Sequence, residues 1–162
     1  MPLRVVVVGG SASNVGKTTL AAHLIRCEHA AATVAMKVSV RESPCETRVL
    51  VLGPDDADEH RRDSSTLLEA GATHVVWVTV QRPDVRAGLA AGLRAVRALR
   101  PEAVVIESTS AGIHLNGATE SWFVAGEGAW KPWAERHRER ADYVVTSAEV
   151  WRLVEEPALL AV

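Results

Sequence analysis

Apolar residues fall in short runs along this chain, and the spacing inside each run predicts an element. Leu3–Val8 is nearly continuous in apolar residues, as a strand covered on both faces would be. Thr33–Val40 alternates and predicts a second strand, and Arg48–Leu52 a short third one. His74–Val80, Ala103–Glu107, Trp122–Val124 and Tyr143–Thr146 read as further strands. Between them, Thr18–His29 carries Leu20, Ala21, Leu24 and Ile25 at helical spacing. Asp63–Ala70 predicts a short helix ended by Gly71. Pro83 opens a helix through Leu99 that Pro101 closes, and Pro132–Arg140 predicts a charged helix. Strands alternating with helices imply an α/β domain in three layers around a mostly parallel sheet.

The 162 residues are 48% hydrophobic and 23% charged, which fits one domain over residues 1–162. A formal charge of −2 gives no footprint for nucleic acid or an anionic membrane, and neither is expected as a partner. No apolar run approaches the roughly 18 residues of a membrane span. The apolar run after Arg4 is too short for a secretory signal, so a cytoplasmic protein is expected. Cys27 and Cys45 form no CxxC pair and read as reduced and incidental. Residues 41–62 carry two prolines among many carboxylates and read as a mobile loop over a site.

The chemistry concentrates where the first strand meets the first helix. Gly16-Lys17-Thr18 completes the second half of a Walker A phosphate loop, Gly-x4-Gly-Lys-Ser/Thr. Ser11 stands at the first glycine position, with Gly10 one residue earlier. In this reading Gly10, Ser11, Ser13, Asn14, Val15, Gly16, Lys17, Thr18 and Thr19 form the nucleotide site. Backbone N–H groups of residues 13 to 18 converge on a β-phosphate at the helix N-terminus. Lys17 supplies charge to the β/γ-phosphates, and Thr18 ligates Mg²⁺. Glu107 ends a buried strand and reaches the crevice at the strand C-termini as a metal ligand, or else is a capping or surface residue. Asp63 completes the metal shell, or caps the helix Ser64–Ala70. Lys37 neutralises phosphate, or pairs with a neighbouring carboxylate. Lys17, Lys37 and Glu107 are the catalytic candidates.

The six histidines, His23, His29, His60, His74, His114 and His137, show no metal-ligand spacing. No Asn-Lys-x-Asp guanine signature is present, so GTP and ATP both stay open. Glu127–Arg140 interleaves two tryptophans with basic residues. It would stack on a base or pterin, or form an amphipathic surface helix.

Gly10-Ser11-x-Ser13-x-Val15-Gly16-Lys17-Thr18 resembles the variant loop of dethiobiotin synthetases and cobyrinic acid amide synthases, where the early glycine is displaced by one. Ala12 replaces the signature lysine of partition-type ATPases. "VAMK" (34–37), "RDSSTLLEAGATHVVWV" (62–78) and "PEAVVIES" (101–108) resemble the molybdopterin-guanine dinucleotide biosynthesis protein B family over about residues 3 to 110. That resemblance implies a P-loop NTPase, a GTPase or ATPase of low intrinsic activity that assists molybdopterin-type cofactor assembly. It further implies Mg²⁺, a homodimer, a pterin substrate and a partner protein. Val38-Ser39-Val40-Arg41 stands where that family has histidines, and Ser108 where it has glycine, which points to a different client. The alternatives are an ATP-dependent ligase or kinase acting on a small carboxylic acid, or a nucleotide-gated adaptor with little turnover.

Overall fold

Seven strands form one sheet in the order β3-β4-β2-β5-β1-β6-β7. In chain order they are β1 (Arg4–Gly10), β2 (Thr33–Arg41), β3 (Arg48–Leu52), β4 (Val75–Gln81), β5 (Ala103–Glu107), β6 (Glu120–Ala125) and β7 (Tyr143–Thr146). Every neighbouring pair is parallel except β3–β4. This computed structural model describes residues 2–28, 32–56 and 62–155. His29, His60 and part of the acidic segment expected to be mobile lie outside those residues.

Helices cover both faces. α1 (Lys17–Cys27), α2 (Arg62–Glu69) and α6 (Ser147–Glu155) pack on one side, where Val6, Val8 and Val105 meet Leu20, Ile25, Leu67 and Val150. α3 (Val85–Ala98), α4 (Thr109–His114) and α5 (Ala134–Arg140) take the other, where Val7, Met36, Val78 and Ile106 meet Leu89, Val96 and Ala111. The alternation of β1 explains the split: Val6 and Val8 face one layer, Val7 the other.

Chain order puts β1 between β5 and β6, because α1 carries the chain past β5 to β2, and α4 carries it from β5 past β1. The loop after β1 therefore opens into the crevice at the strand carboxyl ends, the usual ligand position in such sheets.

The predicted helix from Pro83 begins as a 3-10 turn (Arg82–Asp84) that hands over to α3 at Val85. α4 and α6 are additions to the predicted set. α4 is only six residues long, too short to show a helical period. α6 did carry a start signal. The Thr146 Oγ1 accepts from the Glu149 N–H at 3.2 Å, and the Glu149 carboxylate accepts from the Thr146 N–H at 3.3 Å, a capping box.

His137 on α5 is fully buried against β1 and α4. A methyl group on Gly9 or Gly112 would overlap its ring, so both glycines are what let α5 seat there. Its Nε2 lies 2.9 Å from the Ser121 Oγ, while Nδ1 is buried without a hydrogen-bond partner among the described residues. Burial, reinforced by the Arg140 and Lys17 charges, pushes its pKa down to about 4.

Candidate functional site: the loop after the first strand

Two left-handed residues shape the loop between β1 and α1. Asn14 has φ 60° and Gly16 φ 111°, a conformation in which glycine has no side chain to strain. A Cβ at Gly16 would also lie 3.0 Å from the Val150 Cγ1 of α6. The Ser147 hydroxyl of α6 donates to the Val15 carbonyl at 2.7 Å, so the unpredicted helix braces the loop from behind.

Ser11 has a structural task. It is fully buried, and its N–H donates to the Val124 carbonyl at 3.0 Å. Its hydroxyl accepts from the Gly126 N–H, and its carbonyl from the Lys131 N–H, both at 2.8 Å. A glycine here would keep the backbone bonds and lose the one to Gly126. The serine thus ties the loop after β6 to the loop after β1. Gly10 is anchored likewise, its N–H donating to the Thr109 Oγ1 at 3.0 Å.

In front of the loop lies a cleft of about 570 Å³. Ser13, Asn14, Gly16, Lys17, Thr18, Thr19, Lys37, Asp63 and Glu107 all line it, while Gly10, Ser11 and Val15 sit behind it. Arg62, Thr66 and Trp151 also line it and were not singled out from sequence. Trp151 follows the capping box of α6, the signal that could have found it.

The charged centre of the cleft is tightly connected. The Thr18 hydroxyl donates to the Glu107 Oε1 at 2.8 Å. Glu107 Oε2 is buried and has no hydrogen-bond partner among the described residues. The Lys37 Nζ lies 3.9 Å from the Glu107 Oε1 and pairs directly with the Asp63 Oδ2. Asp63 lies in the first turn of α2, which begins one residue earlier at Arg62, so it does not cap a helix starting at Ser64. Its carboxylate is turned to Lys37 instead. Burial lowers the Lys17 pKa; the Glu107 charge opposes this, and the Lys131 and Lys37 charges add to it. A partly desolvated ammonium flanked by two other cations favours an anionic ligand.

A second hollow of about 690 Å³ lies on the far side of the loop, against Ala125–Gly128 and Thr146–Ala148, and Trp151 borders both spaces. The two tryptophans of Glu127–Arg140, open to stacking on a ligand or to packing on a surface helix, both make contacts within the protein. The Trp130 indole N–H donates to the Gly126 carbonyl at 3.0 Å, and its ring lies 5.3 Å from Phe123. The Arg82 guanidinium lies 3.9 Å from the centroid of the Trp133 ring. Among the described residues no group of three or more His, Cys, Asp or Glu side chains is gathered for a metal. None of their helices is long and apolar enough to cross a membrane.

No family model matches the chain, and no curated protein does. Among solved structures, LpxK from Aquifex aeolicus, in complex with ATP, aligns with a TM-score of 0.54 at 17% identity. The alignment covers 90% of this chain and 48% of that one, so the chain spans about half the length of LpxK. At that identity the likeness speaks to architecture, and the chain has the three-layer α/β fold of P-loop NTPases.

Proposed function

We propose that this protein binds a nucleoside triphosphate with Mg²⁺ in the cleft before Lys17 and cleaves its γ-phosphate, by slow hydrolysis or by transfer to a second substrate. One observation carries the reading: the Thr18–Glu107 hydrogen bond of 2.8 Å beside a buried, unpartnered Glu107 oxygen. An unsatisfied buried carboxylate oxygen costs free energy unless a ligand meets it. Hydroxyl and carboxylate oxygens are the donors that suit Mg²⁺, so Thr18 and Glu107 would hold the ion, with Asp63 beside them. When bound, the ion would neutralise phosphate charge.

The chain's own groups supply the rest. N–H groups of residues 13 to 18 converge at the positive end of the 11-residue α1. Lys17 and Lys37 bring cations to the transferring group from two sides. Ribose and base would extend into the hollow by Ala125–Gly128 and Thr146–Ala148. LpxK holds ATP, which makes ATP the first nucleotide to try and GTP the second. The molybdopterin-type client, the homodimer and the partner protein rest on the sequence resemblance alone. A further pocket beyond Lys37 favours transfer to a small molecule over hydrolysis alone.

Calorimetric titration with ATP and GTP, with and without Mg²⁺, tests this, followed by an assay of phosphate release. Binding of at least one triphosphate that tightens with Mg²⁺ is expected. If neither binds at millimolar concentration, the reading is wrong.

A further inference from the structure

We infer that the sheet surface beyond Lys37 is the docking site of the second substrate, a small molecule bearing a carboxylate or phosphate group; this rests on the nucleotide reading above. Lys37, Ser39 and Arg41 alternate along β2 and so share one face. One step lower on that face, Ala35, Val75 and Leu52 are buried with Leu67 of α2 in the core. At the level of Lys37 the cover by described residues ends: Lys37 and Trp77 are half-buried and Leu50 is exposed. The result is a pocket of about 260 Å³ walled by Lys37, Ser39, Arg41, Asp63, Ser64 and Trp77. Lys37 and Asp63 also line the phosphate cleft, so the two spaces meet at that ion pair.

The groups around the pocket select its occupant. Lys37 is shared between Asp63 and Glu107. Arg41 is exposed and makes no ion pair among the described residues, and a guanidinium fork matches the two oxygens of a carboxylate or phosphate. Trp77 supplies an apolar wall, held toward β2 by its indole N–H, which donates to the Ser39 Oγ at 2.9 Å. The volume of about 260 Å³ lies below the roughly 300–1,000 Å³ of a drug-sized site, which favours a small ligand over a second nucleotide. An oxyanion on Arg41 leaves the body of the ligand against Trp77 and its far end at the Lys37–Asp63 junction. There an oxygen nucleophile forms a bond to the γ-phosphorus. The bond from that phosphorus to the β–γ bridging oxygen breaks, its electron pair leaving on the nucleoside diphosphate. A hydroxyl nucleophile gives its proton to the Asp63 carboxylate.

Phenyl phosphate and benzoate serve as probes, each with one ring and one oxyanion, titrated into full-length protein saturated with Mg·ADP. ADP affinity is measured first on the same sample. At least one probe should bind, the tighter one naming the preferred oxyanion, and benzyl alcohol should not compete. Arg41→Gln should weaken that probe by roughly tenfold or more, the loss of a charged hydrogen bond, with ADP affinity unchanged. If ADP binds and neither probe does, or Arg41→Gln binds the probe as the parent does, the docking site is wrong and the nucleotide reading survives. If neither ADP nor GDP in its place binds, both fall.

Discussion

Lys37 and Glu107 face one another in register on adjacent parallel strands, with 3.9 Å between Nζ and Oε1. The same register runs across the whole sheet, so Leu50, Trp77, Lys37, Glu107, Val8, Trp122 and Tyr143 stand side by side on one face. Val8 is buried in the core, and Glu107 beside it and Lys37 one strand further keep only 8% and 18% of their side chains exposed. Charges so placed are costly unless paired; Asp63 meets Lys37 and Thr18 meets one Glu107 oxygen, which leaves Oε2 for a ligand. Core ends and chemistry begins between one strand and the next.

Glu107→Gln keeps the shape of this centre and removes its charge. Mg²⁺-dependent phosphate release should fall by roughly 10- to 100-fold, the range for changes in the shell of a metal site. Triphosphate binding without Mg²⁺ should change far less. Phosphate release by mutant and parent at matched Mg²⁺ is the measurement. Equal rates would make Glu107 a structural residue.

Ser11→Ala deletes the acceptor for the Gly126 N–H and leaves both backbone bonds of residue 11 in place. The stranded donor should cost about 1–3 kcal/mol. Urea denaturation would show this as a lower midpoint at unchanged slope, and amide exchange should quicken over residues 126 to 131. An unchanged midpoint would mean that the hydroxyl does not hold the two loops together.

His137 should give the protein an acid weakness. Its folded pKa of about 4 lies below the 6.5 of an unperturbed histidine, so the folded chain holds a neutral ring. Below pH 6.5 the unfolded chain takes up a proton that the folded chain refuses. Stability from this group is therefore complete above pH 6.5 and lost as pH falls toward 4, by up to about 1.4 kcal/mol per pH unit. Denaturation midpoints from pH 7.5 to 4.5 should fall less steeply in His137→Gln than in the parent. Parallel curves would rule His137 out as the cause.

Much of the layout was legible in the sequence. β5 matches its predicted span because a fully buried parallel strand is an unbroken apolar run. That Lys17, Thr18 and Glu107 line one cleft was legible because a loop between a strand and a helix, and the end of a strand, are local features. The task of Ser11 was not, since its partner Gly126 is 115 residues away. Asp63 could be read as a cap or as a site residue, and only the approach of β2 to α2 turns it to Lys37. Trp151 was missed with α6, although Thr146 and Glu149 marked that helix's start.

If the loop before α1 holds a triphosphate through Lys17, removing that ammonium should weaken nucleotide binding without unfolding the chain. Calorimetry of Lys17→Ala against the parent with Mg·ATP and Mg·GTP, with circular dichroism as the check on folding, tests it most directly. An unchanged spectrum is expected, with affinity weakened by roughly 10- to 100-fold, since a charged hydrogen bond contributes about 1.5–3 kcal/mol. A folded mutant that binds as the parent does would contradict it.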